Sequence, residues 1–181
     1  MAIKLNLFVA FLMIYIYYIT EVYSRLEVTN IQCVSLDKDF ALIEHCFLKS
    51  VNRSYKYISI KANLLQPPVT KVKVHFGLYQ RLSGYKPFLY NITFDACKFL
   101  KSPKSNPVAL YFYTFYKDYS NMKHQCPYDH DIIVDKLPYD KINNMLTKIL
   151  PFPEGNYMFE SDWLAYDIPR VVAKIYFSLT S

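Results

Sequence analysis

The residues best equipped for chemistry gather in one short stretch. His124, Cys126 and His130, with Asp129 and Asp131 beside them, combine the imidazole, thiolate and carboxylate groups that ligate zinc. Their spacing fits no standard zinc module and Cys126 is better suited to a disulfide, so no metal is expected. His45 next to Cys46 sets a base beside a nucleophile, but neighbours on a strand point to opposite faces, and the imidazole would not reach the thiol proton. The remaining carboxylates are scattered, with no helical Glu-x-x-His and no Gly-x-Ser-x-Gly elbow. With only 3 glycines in 181 residues there is no Gly-rich loop to cradle a phosphate or a dinucleotide. Neither an enzyme nor a cofactor is expected.

The other chemistry available to this chain is burial. Aromatic residues reach 18%, as 18 Tyr, 13 Phe and a single Trp, against 20% charged residues. Phe76, Phe88, Tyr90, Ile92, Phe112, Phe115, Trp163, Ile175 and Phe177 all fall on faces that the patterning turns inward. Large flat rings on two facing sheets can hold a sandwich open and line an apolar cavity. A lipid tail entering it would gain about 0.8 kcal/mol for each CH₂ removed from water.

Such a set needs elements to hold it, and alternation supplies them. Ile58, Ile60, Ala62 and Leu64 alternate with polar residues, as do Val72, Val74, Phe76 and Leu78 after the Gln66-Pro67-Pro68 break, which predicts two half-buried strands in a hairpin or meander. A third strand follows the Ser83-Gly84 turn, with Phe88, Tyr90, Ile92 and Phe94 on one face. Near the C-terminus, Val171 to Leu179 alternates in the same way, and Tyr157 to Ala165 is its expected partner across an Ile168-Pro169 turn. Weaker signals over Val28 to Val34, Phe40 to Leu48 and Asp131 to Val134 bring the total to about eight strands. The period changes at Asn106-Pro107, an N-cap followed by Pro at the first helical position. Val108, Tyr111, Phe112, Phe115 and Tyr119 then recur at helical spacing, predicting one main helix over about 107–121. Short helical turns are expected from Asp95 to Leu100, capped by Asp95, and from Tyr139 to Ile149, the latter carrying Ile142, Leu146 and Ile149.

The N-terminus indicates the compartment. Lys4, the apolar run Leu7 to Ile19, and Val22 and Ser24 ahead of Arg25 have the order of a secretory signal over residues 1–24, leaving 25–181 as a single domain outside the cell. Cys33, Cys46, Cys97 and Cys126 then form two disulfides. Of the three pairings open to four cysteines, sequence neighbours are favoured, Cys33 with Cys46 and Cys97 with Cys126, because each closes a modest loop. Asn52 and Asn91 head N-glycosylation sequons, which agrees with that route. The formal charge of +6 is mostly a solvated surface; its functional use would be contact with anionic lipid head groups, a membrane surface or a receptor. No nucleic acid is expected outside the cell.

Three stretches carry a resemblance. Phe88-Leu89-Tyr90-Asn91-Ile92-Thr93-Phe94-Asp95-Ala96-Cys97-Lys98-Phe99-Leu100, then Tyr119 to Tyr128, then Leu150-Pro151-Phe152-Pro153-Glu154-Gly155-Asn156-Tyr157, resemble a large insect family of secreted proteins with a domain of unknown function. That family is regarded as a distant relative of the ML lipid-recognition superfamily, which includes ganglioside-activator proteins. The likeness runs from about Cys33 to Phe177; Met122 departs from it, since relatives usually carry Asn there. It implies an ML-like, immunoglobulin-like β-sandwich or β-cup with an apolar interior, and for some members a chemosensory or pheromone-related setting. The combined expectation is a secreted, mainly β carrier or presenter of a small apolar ligand such as a lipid. The alternative is a ligandless extracellular protein-interaction module.

Overall fold

The computed structural model describes residues 25–52, 55–149 and 152–180. The leader over residues 1–24 and the last two positions of the Asn52 sequon therefore lie outside the described residues.

The described residues are mainly β, with eight antiparallel strands in two sheets. They are β1 (Arg25–Ser35), β2 (Ala41–Ser50), β3 (Lys56–Leu64), β4 (Val72–Leu82), β5 (Gly84–Asp95), β6 (Ile132–Pro138), β7 (Gly155–Ala165) and β8 (Ile168–Thr180). The larger sheet has the order β1-β8-β7-β4-β5 and the smaller β2-β3-β6. Each strand arises where alternation places it, because period-two apolar residues bury one face of a pleated strand and leave the other wet. The fully buried Leu26, Val28, Ile58, Val74, Phe76 and Tyr157 come from both sheets and mark the layer between them.

Two expected connections differ. β3 and β4 do not form a hairpin or meander: β3 pairs with β2 and β6, and β4 with β5 and β7, so the Gln66-Pro67-Pro68 link carries the chain from one sheet to the other. Two alternating strands specify faces but not partners: β3 takes its other sequence neighbour β2 and the distant β6, and β4 takes its other neighbour β5 and the distant β7. The β7–β8 turn is Tyr166-Asp167, with Ala165 opposite Ile168 and Pro169 already inside β8. Both turn residues have positive φ, 55° and 65°, as a two-residue hairpin turn demands.

Side chains hold that unusual turn. The Tyr166 hydroxyl accepts from the Thr70 N–H at 3.3 Å and donates to the Pro68 carbonyl at 3.2 Å. Asp167 receives Lys71 at 2.8 Å and Lys73 at 2.5 Å, so these lysines of the basic face are paired. The two ammonium groups bring its carboxyl down to about 2. A folded pKa below the unfolded value means the ion pairs are fully present above about pH 4 and are lost as the pH falls toward 2. Asp167→Asn should therefore flatten the stability-against-pH curve in that window and leave it unchanged in shape near neutrality. Denaturant titrations at stepped pH would measure this; an unchanged acid limb would show that the pairs contribute nothing.

The helices fill the ends and the open flank. α1 (Ala96–Lys101) starts where Asp95 accepts from the Lys98 N–H at 2.9 Å. α2 (Pro107–Tyr116) is capped by Asn106, whose side chain accepts from the Ala109 N–H at 3.0 Å. It is shorter than the expected 107–121: a 3₁₀ turn over Lys117–Tyr119 follows, and Ser120 is already extended and bridged to Val134. Helical spacing continues through Tyr119, but pairing with β6 outweighs it. α3 (Tyr139–Ile149) clasps the β1 edge, the Tyr139 hydroxyl donating to the Leu26 carbonyl and Asn143 accepting from the Leu26 N–H at 2.9 Å. The side chains of Leu146 and Ile149 lie outside the described residues.

Both favoured disulfides are present, Cys33–Cys46 with Cα atoms 6.0 Å apart and Cys97–Cys126 at 5.4 Å. The first ties β1 to β2 and so fastens one sheet to the other. The second clips α1 to the loop that leads into β6.

Candidate functional site

Between the sheets lies a cavity of about 220 Å³. The larger sheet contributes Phe76 and Leu78 from β4, Phe159 and Trp163 from β7, and Val171, Ala173, Ile175 and Phe177 from β8. The smaller sheet faces them with Ile43, Ile58, Ile60, Ala62, Leu64, Ile132 and Val134. Phe112, Phe115 and Tyr116 of α2 close the flank that the three-stranded sheet leaves uncovered. Ile142 of α3 lies toward one end, and Phe40 and Arg170 toward the other.

Burial along β8 records the hollow. This strand is flanked by β1 and β7 and its residues Val171, Ala173 and Ile175 point inward, yet all three are only half-buried. Protein interiors normally fill to crystal-like density, so inward side chains on a central strand reach full burial unless the space before them is open. The cavity supplies that space.

Aromatic rings hold the walls apart. Phe76 meets Phe94 at 5.4 Å, Phe112 at 5.7 Å and Phe159 at 5.3 Å between ring centroids. Phe112 stacks on Phe159 at 5.1 Å and abuts Phe115 at 5.7 Å. Rings in edge-to-face and offset contact form a stiff lattice that aliphatic chains would not.

Of the residues singled out from the sequence, Phe76, Phe112, Phe115, Trp163, Ile175 and Phe177 line the cavity. Phe88, Tyr90 and Ile92 do not. They share the inner face of β5, as their alternation requires, but β5 is the edge strand of the larger sheet. Tyr90 packs against Phe112 at 5.6 Å, while Phe88 packs against Phe152 and Tyr157 at 5.7 and 5.5 Å. α2 and Phe152 therefore stand between this strand and the hollow. The aliphatic side of the wall, Ile58, Ile60, Ala62 and Leu64 with Val171 and Ala173, carries the same alternation as the aromatic side, and that alternation is its signal in the sequence.

The cavity is almost wholly carbon, and most of its few polar groups are occupied. Ser161 Oγ accepts from Trp163 Nε1 at 3.2 Å and donates to the Ala173 carbonyl at 3.5 Å. Arg170 binds the Asp37 carboxylate through Nη1, and its guanidinium lies 4.1 Å over the Phe40 ring. The Tyr128 hydroxyl donates to the His124 carbonyl at 3.2 Å, and burial pushes its pKa up to about 12.

The loop considered for metal chemistry forms part of this wall. Cys126 is committed to its disulfide, and His124 Nε2 is hydrogen-bonded to His130 Nε2 at 2.7 Å. Among the described residues no group of three or more His, Cys, Asp or Glu side chains is gathered to hold a metal ion. Cys46, beside His45, is likewise in a disulfide. Met122 is buried in the cavity wall, and its neighbour Asn121 bonds the loop, donating to the Asp131 carbonyl at 2.7 Å and accepting from the Ile133 N–H at 2.9 Å. Asn91 is exposed on the outer face of β5.

Residues 74–159 match a family described as a protein of unknown function, DUF1091. The matched segment runs from β4 to the middle of β7, so it holds the aromatic lattice, α2 and the Cys97–Cys126 clip. It excludes β1 to β3, β8 and the Cys33–Cys46 bond. No curated protein matches the chain. Among the described residues no helix is long and apolar enough to cross a membrane.

Proposed function

We propose that this protein is a secreted carrier that encloses a small apolar ligand, such as a lipid or a pheromone-like molecule, between its two sheets. The observation that carries this reading is the carbon-lined cavity of about 220 Å³ in an otherwise packed sandwich. Apolar cavities of about 150 Å³ stay dry and admit small hydrocarbons. Here transfer of hydrocarbon out of water supplies the affinity, and no covalent step is involved. The resemblance to insect secreted proteins, a family regarded as a distant relative of the ML lipid-recognition superfamily, implies an apolar interior between two sheets and, for some members, a chemosensory setting. Two disulfides suit an oxidising compartment.

Release would take place at the Phe40 end. There Leu36, Leu65 and Ile168 are 54%, 47% and 50% exposed, where they can touch a membrane surface or a receptor while the ligand leaves.

Native mass spectrometry of the full chain, expressed through a eukaryotic secretory pathway and desalted gently, tests the carrier reading. The expected spectrum contains protein plus a discrete adduct that organic extraction removes and identifies as aliphatic. A clean unliganded mass, with no shift on adding a medium-chain alcohol, would leave an extracellular interaction module in its place.

A further inference from the structure

The polar groups of the cavity wall differ in one respect, and it bears on what the cavity takes. Ser161, Tyr128 and the Arg170 Nη1 are all bonded within the protein. The Arg170 Nε lacks a partner among the described residues, but that atom is sealed inside the wall and offers nothing to a guest. Tyr116 is otherwise. It is the last residue of α2, its ring meets Tyr113 edge-on at 5.5 Å, and it lines the cavity. Its surroundings are deeply buried, and its hydroxyl makes no hydrogen bond to a described residue. An unpartnered hydroxyl in a carbon-lined hollow is a costly feature unless something bonds to it.

The chemistry of that group selects its partner. Burial, reinforced by the neighbouring Tyr113 and Tyr128 hydroxyls, holds the Tyr116 proton well above the ordinary tyrosine range. It therefore meets a guest as a neutral O–H that can donate one hydrogen bond and accept another. The cationic side chain in the wall, Arg170, is already neutralised by Asp37. A carboxylate drawn into the cavity would lose its hydration without gaining a counter-charge.

We infer that the cavity selects an aliphatic molecule bearing one neutral oxygen function, an alcohol, aldehyde or ester, whose oxygen is bonded by the Tyr116 hydroxyl. The inference rests on the carrier reading and deepens it. A plain hydrocarbon is held by burial alone, and the matching fatty acid anion is disfavoured.

The test uses 1-decanol, n-decane and decanoate as probes of the full-length secreted protein, with binding read by native mass spectrometry and by competition at pH 7.4. Decanol should bind more tightly than decanoate by at least about tenfold, since an unpaired carboxylate resists burial. Tyr116→Phe should weaken decanol by about three- to tenfold, the worth of one hydrogen bond, and leave decane unchanged. Tyr113→Phe removes a hydroxyl of the same helix that donates to the Met122 carbonyl, and it should leave the decanol-to-decane ratio as it was. If Tyr116→Phe spares decanol, or if decanoate binds as well as decanol, the inference is overturned while the carrier reading stands. If none of the probes binds the unaltered protein, both fall together.

Discussion

Replacing Ala173 by phenylalanine will abolish binding of apolar probes and leave the protein folded. Ala173 sits on the inward face of β8, half-buried, paired with Cys33 on one side and Ser161 on the other. Its methyl group borders the cavity. A benzyl side chain projected from that position would occupy much of the roughly 220 Å³ now open, so the guest and the ring would compete for the same volume. The expected loss of affinity for 1-decanol is at least about a hundredfold, since a guest of ten carbons draws about 0.8 kcal/mol from each buried CH₂. Overpacking a filled core costs about 1–3 kcal/mol, whereas filling a hollow is neutral or stabilising. Thermal unfolding should therefore show a melting temperature equal to or above that of the parent. A variant that melts normally and still binds decanol at parental affinity would place the ligand elsewhere.

Phe76→Ala will have the largest effect on stability. The side chain is 2% exposed on β4, between β5 and β7, and its ring touches those of Phe94, Phe112 and Phe159. Truncation removes the ring's transfer energy and leaves its neighbours facing a void. Phenylalanine-to-alanine changes in cores cost about 3–5 kcal/mol. Against a total stability of about 5–15 kcal/mol, that is about a fifth or more of what holds the fold. For a chain of this size the melting temperature should drop by roughly 10–15 °C. The damage extends to the cavity, because Phe76 braces the contact between α2 and the larger sheet. A drop of only one or two degrees would mean that the aromatic lattice is not the support described above.

The strands, their inward faces and the local helix caps were legible in the sequence, and the reason is range. Alternation along β3 or β8 and the Asp95 and Asn106 caps depend on residues a few positions apart, so any window of ten residues contains the whole signal. The two disulfides followed from the same preference for short loops, although Cys33–Cys46 turned out to join separate sheets. The Tyr166-Asp167 turn carries little local signal because tyrosine is an uncommon occupant of positive φ, though aspartate tolerates it; the contacts with Thr70, Pro68, Lys71 and Lys73 that hold it come from a segment nearly a hundred residues earlier.

By itself, then, the order of residues determined which side chains turn inward. It could not determine which inward side chains meet a neighbour and which meet open space. Phe88, Tyr90 and Ile92 carry the same pattern as Phe76 and Ile175, yet β5 became an edge strand covered by α2, while β4 and β8 became central strands facing the smaller sheet. Strand order is set by long-range pairing, and the hollow lies where β4, β7 and β8 face the smaller sheet without filling the space between. Tyr116 shows the same limit: its helical spacing is local, but the end of the helix there and its place in the cavity wall depend on what packs around it.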